Sequence, residues 1–133
     1  MAASRPSAPL RSPLGRAIGL GSAKEGVEHW WHLRITSIAL VPLCLWFVGV
    51  LIGLAGADLD TFSAWLAHPV PAIVMALLLI ATFYHTELGL QVVIEDYVHA
   101  EGLKLGLLIV MRLACIALAV AGLFAVLRIG LGT

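Results

Sequence analysis

Long apolar stretches alternate with short polar connectors along the chain, and this pattern predicts three transmembrane helices. The predicted spans cover about residues 35–54, 70–93 and 105–127. A helix rises about 1.5 Å per residue and needs about 20 residues to cross about 30 Å of hydrocarbon, so each stretch is long enough to span a bilayer. We therefore predict an all-α membrane protein whose three helices form an up-down-up bundle.

The connector between the first two spans covers residues 55–69 and carries its own pattern. Turn-forming glycine and aspartates come first, and Phe62, Trp65 and Leu66 follow at a spacing that suits a short amphipathic turn on the membrane surface. Pro69 marks the start of the second span, where a missing backbone donor costs little. The second connector, which begins near Glu95, is short and polar.

Composition excludes a soluble domain. The chain is 61% hydrophobic and only 12% charged, with a mean hydropathy of +1.01, so a folded form has too few polar residues to cover its surface. The formal net charge is zero, which gives no reason to expect a nucleic-acid partner. Residues 1–24 lack acids and are rich in Arg, Ser and Pro, and we interpret them as a mobile N-terminal arm. Residues 25–133 form the membrane domain.

Basic residues predict the orientation of the spans. None lies in the first connector and Lys104 lies in the second, whereas five precede the first span: Arg5, Arg11, Arg16, Lys24 and Arg34. Since cytoplasmic segments of membrane proteins are enriched in Lys and Arg, the N-terminus and the second connector are expected in the cytoplasm. The chain is then expected to be a multi-pass membrane protein.

The two cysteines, Cys44 and Cys115, fall inside predicted spans among aliphatic residues. Neither has a neighbouring His or Cys at a metal-ligand spacing. We expect both to be small buried hydrophobic residues.

One stripe of the second span carries unusual chemistry. At about 100° per residue, His85, Gly89, Val92 and Asp96 share one face of the helix. An ionisable side chain is costly inside a bilayer, so an imidazole there indicates a functional role. It can serve as an axial ligand to haem iron, and Gly89 would leave space for a flat porphyrin. The alternative is a histidine that only forms a hydrogen bond between helices.

Asp96 and Tyr97 stand where the second span reaches water. A phenol can donate a hydrogen bond to a quinone carbonyl, and the adjacent carboxylate can hold the phenol in place or relay a proton. Tyr97 follows His85 by twelve helical residues, about 18 Å, which suits electron transfer between a haem and a quinone. The alternative is that the two residues only end the helix at the membrane surface.

Arginines and further polar residues have more than one candidate partner. Arg34 suits a haem propionate or the border of a quinone pocket, but it also suits a basic anchor at the membrane surface. Arg112 lies too deep in the third span to reach water easily, so we expect it to meet a propionate, Glu87 or Glu95.

A second stripe of the second span, suited to polar contacts with neighbouring helices, contains Tyr84, Glu87, Gln91 and Glu95. Surface or interface roles are expected for His29, His32, His68 and His99.

These residues resemble a known family. The segment from His85 to Gly89 (HTELG), the later EDYV around Tyr97, and the segment HWWHLRITS from His29 to Ser37 are similar to the small hydrophobic membrane anchor of bacterial succinate dehydrogenase, especially of the alphaproteobacterial type. The resemblance extends from about Gly26 to the end of the third span. Its most specific part is the His-x3-Gly-x6-Asp-Tyr arrangement.

The resemblance implies a set of partners and roles. Such an anchor pairs with a cytochrome b556 subunit of three helices, and a flavoprotein and an iron-sulfur protein dock on the cytoplasmic face. By resemblance, His85 is one of two axial ligands of haem b, Tyr97 hydrogen-bonds ubiquinone and Asp96 lies beside it. The chain departs from the enterobacterial form at Lys104, where an arginine would stand, and at Arg112, which lies within the third span.

The leading hypothesis is therefore a haem- and ubiquinone-binding membrane anchor of respiratory complex II. The chain has no dinucleotide fingerprint and no cysteine cluster, so it is not expected to oxidise succinate by itself. One alternative is the anchor of a quinol:fumarate reductase. Another is a structural or assembly protein without redox function, in which His85 and Arg112 only hold helices together.

Overall fold

The computed structural model describes residues 12–18 and 25–132, and these residues are almost entirely helical. The helices are α1 (Pro13–Ile18), α2 (Glu25–Gly53), α3 (Leu59–Leu66), α4 (Pro69–Tyr97) and α5 (Glu101–Gly130). Within the described residues, α2, α4 and α5 are each long and apolar enough to cross a membrane. The predicted all-α membrane protein with three transmembrane helices is confirmed.

The long helices extend beyond the predicted spans. α2 begins at Glu25, well before the expected start near residue 35, and α4 and α5 exceed their spans at both ends. Hydropathy marks only the segment within hydrocarbon, whereas backbone hydrogen bonding continues through polar residues at the membrane surface. As a result His29 and His32, expected outside the spans, lie within α2.

The three long helices form an open layer with α4 in the middle. α4 packs antiparallel to α2 on one side and to α5 on the other. Gly122 lets α5 pack tightly against α4: a Cβ added at Gly122 would meet the Leu79 side chain at 3.1 Å. Among the described residues, the backbones of α2 and α5 do not come within packing distance of each other. Within the described residues, two sides of α4 are therefore covered by its own chain, and the rest are open to lipid or a partner.

Apolar packing is concentrated at the α3 end of the layer. Trp65 of α3 stacks on Trp46 of α2, with ring centroids 6.0 Å apart. The buried cluster there consists of Leu66, Met75, Leu78 and Val126. The chemistry-bearing residues of α4 lie toward its other end, so the core and the candidate site occupy different halves of the molecule.

The first connector folds as its sequence predicts. Gly56 adopts a positive φ of 81°, which glycine allows at little cost, and the chain then enters α3. Asp58 caps α3 by accepting a hydrogen bond of 2.9 Å from the backbone N–H of Thr61. Hydrogen bonds from the side chain and then the backbone of Thr61 hold the pKa of the Asp58 carboxyl below its ordinary value. The short amphipathic segment is thus a capped helix, α3, and α4 begins at Pro69 as expected.

Only part of the predicted N-terminal arm is described. The predicted arm, residues 1–24, contains the short helix α1, while residues 1–11 and 19–24 lie outside the described residues. The mobility of this arm remains a prediction.

Cys115 is buried as expected, but the prediction for Cys44 was wrong: this side chain is exposed on α2. The apolar sequence around Cys44 reflects a surface toward lipid or a partner rather than the interior of this chain.

Candidate functional site

His85 forms the central contact of the site. Its Nδ1 atom lies 2.9 Å from the hydroxyl oxygen Oγ1 of Thr36, which joins α4 to α2. Thr36 is only 8% exposed and is the one buried polar residue in the described part of the chain. The His85 ring is half-buried. Within the described residues, Nε2 of His85 takes part in no hydrogen bond, so this nitrogen is left to bind another group.

Gly89, one turn after His85, borders open space. A Cβ added at Gly89 would meet no neighbouring atom within 4 Å. The same stripe of α4 therefore combines a ring nitrogen without a hydrogen bond and a surface without a side chain. This donor and this space fit a haem bound through an imidazole nitrogen, with the porphyrin lying against the helix.

A second contact joins the same two helices. The hydroxyl of Tyr84 lies 2.7 Å from Nδ1 of His32, and the two ring centroids are 5.8 Å apart. Nearby, Nε2 of His29 is buried and has no hydrogen-bond partner within the described residues. His32 thus contributes an interhelical hydrogen bond that hydropathy alone does not predict.

On its other side, α4 is joined to α5 by an ion pair. Nε of Arg112 donates a hydrogen bond of 2.6 Å to Oε1 of Glu87. Glu87 is one of the two acids named from the sequence. The other acid, Glu95, instead accepts a hydrogen bond of 2.9 Å from Gln91 on its own helix. The polar stripe that contains Tyr84, Glu87, Gln91 and Glu95 therefore divides its contacts between α2, α5 and α4 itself.

Asp96 and Tyr97 lie at the end of α4, and both are exposed. Tyr97 is the last residue of the helix and is 78% exposed. Within the described residues no hydrogen bond joins its hydroxyl to Asp96 or to any other side chain, so the chain by itself does not bring the two together. A binding pocket at this position needs walls from outside the described residues.

Arg34 lies near the start of α2. Its guanidinium carbon is 5.1 Å from the centroid of the Trp30 ring, one turn earlier, in a cation–π contact. Because Arg34 precedes Thr36 by two residues, it is about 200° away around the helix and does not share the face that contacts His85. Arg34 is exposed, so its guanidinium is accessible to a group from outside the chain.

Comparison with known proteins decides the family. The family model described as "Succinate dehydrogenase/Fumarate reductase transmembrane subunit" matches residues 8–120. The chain belongs to this family. It is 36% identical over 117 residues to the succinate dehydrogenase hydrophobic membrane anchor subunit of Rickettsia bellii, a match that covers 88% of this chain and 94% of that protein. The protein of the same name from Paracoccus denitrificans is 32% identical over 123 residues, which is 91% of this chain and 93% of the relative.

Membership of this family confirms the resemblance seen in the sequence, including its alphaproteobacterial character. It also confirms that the chain is one subunit of a larger enzyme and is not catalytic alone. A multi-pass membrane protein agrees with the three long helices. The residues that bind a haem or a quinone are not identified by the comparison, so His85, Gly89, Asp96, Tyr97, Arg34 and Arg112 remain candidates on structural grounds.

Proposed function

We propose that the chain is the membrane anchor of a succinate:ubiquinone oxidoreductase in a bacterial inner membrane. In this proposal it shares the ligation of haem b with a partner cytochrome b556 subunit and contributes to the site of ubiquinone reduction. A flavoprotein and an iron-sulfur protein dock on its cytoplasmic face and supply the electrons from succinate. The family of the chain and the names of its relatives support the anchor role.

The observation that carries the haem assignment is the environment of His85. Within the described residues, its ring is hydrogen-bonded through Nδ1 only, and the next turn of α4 presents Gly89 to open space. The form of histidine that binds a metal is a neutral imidazole in which one nitrogen is hydrogen-bonded and the other has a free lone pair. When bound, the haem supplies a reversible one-electron store within the membrane.

Residues at the end of α4 are assigned to the quinone. Tyr97 is exposed, and its hydroxyl can donate one hydrogen bond to a quinone carbonyl while the ring packs beside the headgroup. Asp96 is adjacent and can orient the phenol or hold a proton once a partner closes the pocket. Exposure of both residues is expected for a site that is shared between subunits.

The two arginines have different roles in the proposal. Arg34 is exposed and suits a haem propionate or the edge of the quinone pocket. Arg112 is already paired with Glu87. Glu87 lies two residues after His85, about 200° around α4, so the pair is on the opposite side from the haem ligand. This position favours an acid partner for Arg112 over a propionate.

The decisive experiment measures haem in the complex purified with its partner subunits. We expect a b-type reduced-minus-oxidised spectrum and a low-spin ferric signal, and we expect His85→Ala to abolish or convert that signal while much of the complex still assembles. His68→Ala is a matched control, because His68 is exposed and its side chain makes no capping hydrogen bond. An unchanged low-spin spectrum in His85→Ala would rule out the ligand role.

The same measurement separates the alternatives. The interhelical contacts of His85 and Arg112 also suit a structural or assembly protein. Such a protein would give a colourless complex without quinone reductase activity. The anchor of a quinol:fumarate reductase remains compatible with the family description. Comparing the rates of succinate oxidation and fumarate reduction in membranes distinguishes that alternative.

A further inference from the structure

The hydroxyl of Thr36 has three polar neighbours but only one hydrogen. Besides Nδ1 of His85 at 2.9 Å, its Oγ1 atom lies 2.8 Å from the backbone carbonyl oxygen of His32 and 3.0 Å from that of Leu33. Carbonyl oxygens can only accept hydrogen bonds, so both contacts compete for the single hydroxyl hydrogen. The hydrogen therefore points back along α2, toward the preceding turn.

The direction of this hydrogen determines the protonation of the histidine. If Thr36 gives its hydrogen to a carbonyl, only its lone pairs face His85, and Nδ1 must carry the hydrogen in the contact between them. If Thr36 instead gave its hydrogen to His85, its Oγ1 atom would lie 2.8 and 3.0 Å from the carbonyl oxygens of His32 and Leu33 with no hydrogen between them. Both contacts would then be repulsive. A neutral imidazole with its hydrogen on Nδ1 has a lone pair on Nε2.

We propose that Thr36 is a positioning residue that holds His85 in the tautomer and orientation that present Nε2 to haem iron. The inference rests on the proposed haem-binding function and extends it to a residue on a different helix. Thr36 is buried, and the two helices that carry Thr36 and His85 are each long and apolar enough to cross a membrane. A hydrogen-bond acceptor on Nδ1–H also makes the ring a better electron donor to a metal.

Ser37 provides a matched control. It is the neighbour of Thr36 on α2, and its hydroxyl donates to the carbonyl oxygen of Leu33 at 2.8 Å rather than to His85. Ser37→Ala therefore removes a hydroxyl from the same turn without touching the histidine. At position 36, Thr36→Val replaces the hydroxyl by a methyl group of similar size, whereas Thr36→Ser keeps the hydroxyl and removes the methyl group.

The experiment compares these variants in the complex purified with its partner subunits. Three quantities are measured: haem per complex, the midpoint potential of the b-type haem, and the g values of its low-spin ferric signal. Thr36→Val should raise the midpoint potential, shift the g values and lower the haem per complex through a loss of about 10–100-fold in haem affinity, because Nδ1–H loses its acceptor. Thr36→Ser and Ser37→Ala should match the wild type in all three.

Two results would overturn the inference. One is a Thr36→Val complex with wild-type potential and g values; the other is a Thr36→Ser complex shifted as far as Thr36→Val, which would assign the effect to packing of the methyl group. If Thr36→Val fails to assemble, Thr36→Ala gives the hydroxyl-free measurement, and failure of the serine variant as well counts against the proposal. A wild-type complex without haem would instead contradict the proposed function before any substitution is made.

Discussion

Glu87 and Arg112 form an ion pair between α4 and α5 at 2.6 Å, on the opposite side of α4 from the contact of His85 with Thr36. The central helix is thus fastened to both neighbours by polar contacts only two residues apart. Together they fix the rotation of α4 about its own axis, since turning the helix would break one contact or the other. The direction of the His85 ring is set by this pair of links.

The ion pair lies well inside the apolar part of α5. Arg112 follows the first residue of that helix, Glu101, by eleven positions, or about 16 Å. Its side chain is 60% exposed, whereas that of Glu87 is 13% exposed. Arg112 therefore has donors that remain accessible to a partner subunit, while Glu87 depends on Arg112 for its counter-charge.

Breaking this ion pair from one side should weaken the complex. Glu87→Ala leaves an arginine within the predicted span without its acid, and insertion scales put the cost of an arginine at the centre of a span at about 2.5–3.5 kcal/mol. The thermal midpoint of the detergent-purified complex should fall in this variant and recover in Glu87→Leu/Arg112→Leu. The control is Glu101→Gln, which removes an exposed pair with Lys104 at 3.5 Å and should change little. A double variant as unstable as Glu87→Ala would contradict the pairing.

The orientation of the chain is predicted from its charges and its three spans. Reporter fusions near Asp60, in the first connector, should be periplasmic, and fusions near Glu101 should be cytoplasmic, because basic residues precede α2 and avoid the first connector. Alkaline phosphatase and a fluorescent protein report the two sides in complementary ways. Finding both positions on one side of the membrane would rule out the three-span topology.

The open space at Gly89 can be tested by filling it. Because no neighbouring atom lies within 4 Å of an added Cβ, Gly89→Leu should leave the fold of the chain intact but obstruct a porphyrin that lies against α4. Most of the low-spin haem should be lost, as measured by the reduced-minus-oxidised spectrum. Gly106→Leu is the control, since that position on α5 is equally open. Wild-type haem content in Gly89→Leu would show that this space is not used.

Helical spacing alone could place His85, Gly89 and Asp96 on one stripe, since they belong to a single helix whose period is fixed by the backbone. The partner of His85 could not be predicted in this way. Thr36 is 49 positions away in sequence, and the contact depends on the register between α2 and α4, which side-chain packing decides. For the same reason the sequence left Arg112 with two candidate acids.

The residue at which α2 begins also could not be predicted from hydropathy. Segment 25–34 is polar and aromatic, so it does not register as a span, yet it continues the helix and brings His32 against Tyr84. A sign of this continuation is the spacing of His29, His32 and Thr36, which share one face at helical intervals. Polar residues at such intervals just outside a span indicate a helix that extends into the membrane surface.

Tyr97 provides the sharpest test of the quinone site. Tyr97→Phe removes only one oxygen, and the loss of its hydrogen bond to a developing quinone anion should cost about 1.5–3 kcal/mol, a drop of roughly ten- to a hundredfold in quinone reduction. Succinate oxidation by a soluble artificial acceptor bypasses the membrane site and should be nearly unchanged. Both rates are measured on the same purified complex.

The chain's second tyrosine supplies the control for this test. Tyr84→Phe removes a hydroxyl that is bonded to His32 within the chain, so it should leave quinone reduction close to the wild-type rate. If both activities fall together in Tyr97→Phe, the residue acts through assembly, because a defect confined to the quinone site cannot slow the soluble acceptor. If neither activity falls, the quinone is held by other residues and the assignment of Tyr97 is wrong.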